Sequence, residues 1–266
     1  MLITTNELRE IESTLAERLK VDYSNFSDDF FRRRLAYVFD KMHFHRVQDL
    51  YSALGSLVTF DEITYYLSVP QTELFRSPSF WRRMLKALAD SSDIKTIWIP
   101  CLTSYHELFN LAVALDMAGR TDCKVTVNVL SDRTINECRS LHVSKHDDQQ
   151  NRSNFERLES SKAYDDYVVK TVDGLALRQG LIDNVTFRNG WFLGYPDEKY
   201  DAVICRDVML TYNEQLERQA VAKLVDSLTG PGSVLGLGTM ERPLGMERRL
   251  DDTYASDGFY SLMRCE

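Results

Sequence analysis

The sequence predicts an α/β protein, a mostly parallel sheet preceded by an all-helical segment. Three observations predict it. Residues 1–90 carry apolar side chains at helical spacing. From Lys95 onward, short β-branched runs alternate with helical stretches, the pattern of a parallel sheet with crossover helices. Between them, Ile97–Leu115 reads as strand, turn and helix, and in an open α/β sheet the first such turn is where a nucleotide-like ligand sits.

In the helical part, Thr4 and Glu7 stand in capping-box spacing before the stripe Leu8, Ile11, Leu15 and Leu19. Ser27 caps a second helix bearing Phe31, Leu35, Val38, Phe39 and Met42. Val47, Leu50, Tyr51 and Leu54 mark a third, residues 61–68 a fourth, and Ser79 caps a fifth with Trp81, Met84, Leu85 and Leu88. No glycine-rich linker follows, so the two parts are expected to pack together.

Thr96–Pro100 is the first predicted strand and 104–118 the helix after it, with Ser104 and Glu107 in capping-box spacing. Lys124–Leu130 is a valine-rich strand and 132–142 a helix. His146–Asn154 is polar throughout and reads as a loop. Tyr167–Thr171 and Leu175–Arg178 pair around Asp173-Gly174, a good turn dipeptide. Val185–Phe187, Asp201–Cys205, Ser233–Leu237 and Phe259–Met263 are the remaining strands. Asn213 caps a helix with Leu216, Ala220, Leu224 and Leu228 on one side, and a charged connection runs from Glu241 to Asp257.

Composition excludes several classes. A net charge of −8 over 266 residues argues against broad binding to nucleic acid or an anionic membrane. No apolar run approaches the ~18 residues of a membrane span, and the charged N-terminus lacks a signal-peptide core. Cysteines at 101, 123, 138, 205 and 265 form no CxxC pair and are odd in number, which predicts reduced thiols in a cytoplasmic protein. His43 and His45 lack further ligand spacing, so no metal is expected.

Four ordered segments resemble the chemotaxis-receptor glutamate methyltransferases of the CheR type. Thr72-Glu73-Leu74-Phe75-Arg76, with Ser77, Pro78 and Phe80, resembles the family's N-x-T-x-F-F-R-x-P-x-x-F. Ile97 to Ala112 resembles I-W-S-A-G-C-S-T-G-E-E-P-Y-S-L-A. Residues 200–212, YDAVICRDVMLTY, resemble F-D-V-I-F-C-R-N-V-L-I-Y-F, and 228–241 resemble L-x-P-G-G-x-L-x-L-G-H-S-E. The resemblance implies a Rossmann-like methyltransferase sheet over residues 91–266, a small β insertion at about 155–180, and a helical domain over 1–90. It also implies S-adenosylmethionine as cofactor and receptor glutamates as substrate.

Carried over residue by residue, the resemblance sets Thr72 and Arg76 beside the methyl donor. It sets Glu107, Asp207 and Val208 against the cofactor. Several positions depart from the pattern. Pro70 replaces an Asn, Cys101 and Tyr105 replace the two turn glycines, and His106 replaces the first acid of G-E-E. Val129 stands where an acid would hold the ribose, with Asp132 three residues on. Thr211 replaces the site tyrosine, with Tyr212 one place later and expected to face another way. A tyrosine side chain at a turn glycine adds on the order of 150–250 Å² of surface. Of the basic helix expected to meet the receptor, Arg32, Arg33 and Arg34 remain, followed by Tyr37, Val38 and Phe39.

These departures favour a CheR-like fold with an eroded cofactor site, a non-catalytic interaction module of sensory signalling. The alternative is an active S-adenosylmethionine-dependent protein-glutamate methyltransferase with a rearranged pocket. Both readings call for a protein partner, with a chemoreceptor first in line, and neither calls for nucleic acid or membrane insertion.

Overall fold

The computed structural model describes residues 3–19 and 21–264; Cys265 lies outside them. Five helices come first: α1 (Thr5–Leu19), α2 (Asp28–Lys41), α3 (Val47–Ala53), α4 (Leu57–Leu67) and α5 (Pro78–Asp90). The Thr4 box forms as expected, with Thr4 N–H donating to Glu7 at 2.8 Å and Glu7 N–H to Thr4 at 3.3 Å. Helix α4 begins four residues before the expected start, capped by Ser56, whose hydroxyl accepts from Thr59 N–H at 3.4 Å. Helix α5 is capped by Ser77, not Ser79. Pro78 takes the first helical position, where its missing N–H costs nothing and its φ is preset.

The main sheet has seven strands in the order β6 (Val185–Asn189), β2 (Lys124–Val129), β1 (Thr96–Ile99), β7 (Ala202–Cys205), β8 (Val234–Leu237), β10 (Phe259–Leu262) and β9 (Leu250–Tyr254). The first five run parallel; β10 is antiparallel to β8, and β9 to β10. Strand β9 lies inside the stretch read as a charged connection. Only Leu250 of its five residues is buried, so an edge strand with a solvated face left no apolar signal. Helices α6 (Tyr105–Met117), α7 (Asp132–Ser140) and α9 (Glu214–Asp226) complete the crossovers.

The expected hairpin is present as β4 (Val168–Lys170) and β5 (Leu175–Leu177), closed around Asp173-Gly174. A third short strand, β3 (His142–Val143), joins it on the other side of β5. The polar stretch read as a loop is instead helix α8 (Asp148–Glu156). It buries asparagines: Asn151 accepts from Leu74 N–H at 2.7 Å, and Asn154 donates to Leu74 O at 3.0 Å. A helix face built from amides serving another segment's backbone shows no hydrophobic period.

Side-chain alternation assigns the sheet's two faces. Ile97 and Ile99 of β1, with Ala202 and Ile204 of β7, join the core under α5 and α6. Trp98, Val203 and Cys205 join a second core with α1 to α4 and α9. Helices α1 to α4 are thus packed on one face of the sheet and α5 on the other.

Two glycines fix the sheet's far side. A Cβ at Gly236 would lie 2.6 Å from the Phe80 ring, and Gly258 has φ +75 with Leu237 O against its Cβ direction. Gly258→Ala is expected to destabilise the fold by about 2 kcal/mol or more, read from urea unfolding.

Candidate functional site

Two cavities lie along the carboxyl ends of the parallel strands, under the N-terminal helices. The first, about 220 Å³, is walled by the turn after β1 (Cys101, Thr103), the loop after β7 (Asp207, Val208, Leu210–Tyr212) and the helical part (Tyr23, Phe26, Phe30, Val69). The second, about 500 Å³, is walled by Phe60 and Asp61 of α4, by Asp132, and by Asn189 to Trp191 after β6. Leu130 and Trp191 line both, so the two are neighbouring parts of one cleft region with a shared wall.

The loop after β7 is held from below by Glu241. This carboxylate is 1% exposed and accepts from Asp207 N–H at 2.9 Å, Met209 N–H at 2.6 Å and Gly238 N–H at 2.6 Å. Burial raises its pKa, against three amides that lower it. Asp207 has φ +58, a conformation Asp and Asn tolerate better than most residues. From the other side the loop pairs with the chain before α2: Ser27 N–H donates to Thr211 O at 2.9 Å, and Asn213 N–H to Asn25 O at 2.7 Å.

That pairing places Tyr212 in the cleft, contrary to the expectation that it faces away. An extended bridge opposite Phe26 sets its direction, and its ring meets Phe26 at 4.8 Å. Thr211, in the aligned position, lines the same cavity. Burial holds the Tyr212 phenol far above its ordinary pKa, with Cys101 adding to the shift. The Cys101 thiol is pushed up to about 12 by burial and the charge of Glu241, and burial likewise raises Cys205. Both thiols are therefore protonated near neutrality and are poor nucleophiles.

Tyr105 does not line either cavity. Its ring stacks on His106 at 4.0 Å and meets Phe109 at 4.9 Å, and its hydroxyl accepts from Ser144 N–H at 3.1 Å beside the small sheet. The volume objection raised by a tyrosine at a turn glycine therefore does not apply to the cleft.

The Ser104–Glu107 capping box is absent. Ser104 accepts from Gln71 N–H at 3.1 Å and meets His106 Nδ1 at 3.0 Å. Glu107 is 4% exposed and paired with the Arg206 guanidinium, both oxygens at 3.3 Å, while Gln71 donates to it at 3.2 Å. The capping role does not describe it; a buried guanidinium pairs with it.

Thr72 is exposed and donates to Glu73. Arg76 is exposed, with its Nε 3.9 Å from Asp207, so it forms an ion pair between the two parts of the chain, as Arg82 does with Glu159 and Arg83 with Asp257. Neither residue lines the cavities. The structure brings Arg76, Asp207 and Val208 to one rim and leaves Thr72 and Glu107 outside it. Val129 is buried, and Asp132 lines the second cavity, where it accepts from Asn189 at 2.7 Å. Asp61 reaches across from α4 to accept from Asp132 N–H at 2.7 Å and Arg133 N–H at 3.2 Å.

The basic run divides as well. Arg32 donates to Ile3 O at 2.6 Å. Arg34 donates to Leu67 O at 3.1 Å, Ser68 O at 2.5 Å and Tyr66 O, closing the end of α4, and Arg33 is exposed. A fully solvated basic face therefore does not describe it. His43 and His45 are exposed, and no metal-holding group of side chains occurs among the described residues.

The sequence reading missed Tyr23, Phe26, Asp61, Trp191, Arg206 and Glu241. Arg206 and Glu241 lay inside quoted segments; Tyr23, Phe26 and Trp191 lie in connections outside every α-helix and sheet strand, where periodicity gives no signal.

The profile described as CheR methyltransferase, SAM binding domain matches residues 71–257. The chain belongs to the CheR methyltransferase family. Among curated proteins it is 20% identical over 270 residues to a Pseudomonas putida protein named as methyltransferase Cher3, covering 98% of this chain and 95% of that one. It is 23% identical over 238 residues to a chemotaxis protein methyltransferase of Listeria innocua, covering 85% and 86%. Solved structures with some likeness include an RNA methyltransferase from Salinibacter ruber in complex with S-adenosyl-L-homocysteine (14% identity, TM-score 0.39, covering 74% and 96%). A magnesium protoporphyrin IX methyltransferase from Synechocystis shows 13% identity and a TM-score of 0.33, covering 81% and 68%. No residue role passes from these structures to this chain.

The donor set of the cleft fits the family's cofactor in two of its parts. Asp61, Asp132 and Asn189 offer the acceptors and amide that a ribose diol takes. Aromatic rings and Asp207 line the first cavity, a lining chemically suited to a sulfonium. When bound, the cofactor supplies the electrophilic methyl group.

One consequence concerns His106. It is 6% exposed, and burial lowers its pKa to about 4, partly offset by Asp147. Between pH 6.5 and 4 the unfolded chain then binds a proton that the native state does not, so stability falls as pH drops through that window. A shift from 6.5 to about 4 corresponds to about 3 kcal/mol lost by pH 4. Urea unfolding across this range is expected to show that slope, and His106→Asn to flatten it.

Proposed function

We propose that this chain is a cytoplasmic, chemosensory-signalling member of its family that binds the methyl donor in a remodelled cleft and is impaired in methyl transfer. It would act through a protein partner, a chemoreceptor first, with residues 1–90 and 91–266 as its two domains. The observation that carries this is the position of Thr72 and Arg76. An in-line attack of a carboxylate on a sulfonium methyl needs both atoms held close and aligned. Of the two residues that the resemblance sets there, Thr72 is turned to Glu73 on the surface and Arg76 is drawn to Asp207.

A second reading, an active protein-glutamate methyltransferase, is favoured by the outward Tyr105 and the inward Tyr212. The deciding experiment incubates the chain and a receptor cytoplasmic fragment with methyl-labelled S-adenosylmethionine, beside direct titration of the donor. Donor binding with no label above background is expected. Label on receptor glutamates that disappears in a folded Arg76→Ala variant would replace this reading with the second.

A further inference from the structure

The first cavity has an unusual wall. Five rings, Tyr23, Phe26, Phe30, Trp191 and Tyr212, line it, and they touch in series. Phe30 meets Phe26 at 6.0 Å, Phe26 meets Tyr23 at 5.0 Å and Tyr212 at 4.8 Å, and Tyr212 meets Trp191 at 6.0 Å. The only acidic or basic side chain on the wall, among the described residues, is Asp207. No lysine or arginine among the described residues lines it; the Arg76 guanidinium, 3.9 Å from the Asp207 carboxylate, lies outside the wall and is about half exposed to water, which screens its charge. The volume of about 220 Å³ exceeds the roughly 150 Å³ that holds a benzene molecule in an apolar cavity.

Rings around a single carboxylate are the chemistry of an onium site: the negative faces of aromatic rings and a nearby acid attract a methylated cation that needs no hydrogen bonds. An anion would meet Asp207 with no cation on the wall, and a neutral thioether would gain little from either. We propose that this cavity discriminates the charge on the donor's sulfur, taking the methylated sulfonium in preference to the neutral thioether left after methyl loss. The proposal rests on the donor-binding reading above and goes beyond it. Three of the five rings come from the helical part, so occupancy by the cation would also tie that part to the sheet. The device would report the methyl-donor level with little competition from the demethylated product.

The test is isothermal titration of the full chain with S-adenosylmethionine, its aminium analogue sinefungin, and S-adenosylhomocysteine. Both cations are expected to bind about tenfold or more tighter than the thioether. Phe26→Leu and Asp207→Asn, with circular dichroism and melting to check the fold, should each bring the ratio close to one. Asparagine tolerates the φ +58 backbone at 207, so that variant is expected to fold. Equal or tighter binding of the thioether, or a ratio unchanged in both variants, overturns this inference and leaves donor binding standing. No binding of any of the three overturns both.

Discussion

The buried pair between Glu107 and Arg206 is the contact on which the site's geometry turns. Arg206 sits at the end of β7, Glu107 in the first turn of α6, and the guanidinium also donates to Arg76 O at 3.3 Å and lies 4.4 Å from the Phe80 ring centre. Gln71 joins from the segment that leads into α5. One ion pair therefore registers four pieces of chain around the first turn of the sheet. Replacing such a pair by apolar groups is often neutral for stability, whereas removing one partner strands a buried charge. Its contribution here is positional: it fixes where the Arg76 segment crosses the sheet.

Glu241 completes the frame from the next strand. Its three backbone contacts shape the loop after β7, and that loop supplies Asp207, Val208, Thr211 and Tyr212 to the cleft. Gly238 belongs to the same device, because a Cβ there would strike both the Asp207 and the Glu241 carboxylates. The helical part then closes the top by pairing residues 25–27 with 211–213. The wall of the first cavity is thus built by backbone pairing between distant segments, and its side chains follow from that register.

Most of the fold was legible in the sequence because burial in this chain largely follows apolar periodicity. The exceptions have a common cause. Helix α8 is buried through Asn151 and Asn154, and strand β9 buries one residue in five, so neither carries the signal that periodicity reads. The site was less legible for a related reason. The family resemblance set Thr72, Arg76, Glu107 and Asp207 near one another, but partners decide what such side chains do. Arg206 and Gln71, 99 residues downstream and 36 residues upstream of Glu107 respectively, claim its carboxylate. Tyr212 was judged by the rule that neighbours on a strand alternate faces, and an antiparallel bridge to Phe26 overrode it.

The loss of the turn glycines then takes a different meaning from simple obstruction. Tyr105 finds room because the small sheet stands beside α6 and presents Ser144 N–H to its hydroxyl, so the ring is accommodated outside the cleft. Cys101, in the other glycine position, does line the cleft, but it brings a short, protonated side chain. What the turn no longer offers is close approach of bare backbone, and with it some of the N–H contacts that would hold a polar ligand. In their place the cleft has rings, most of them from the helical part. On the proposed reading, recognition there would shift from directed hydrogen bonds toward charge and polarisability, and the helical part, besides covering the sheet, walls the cavity.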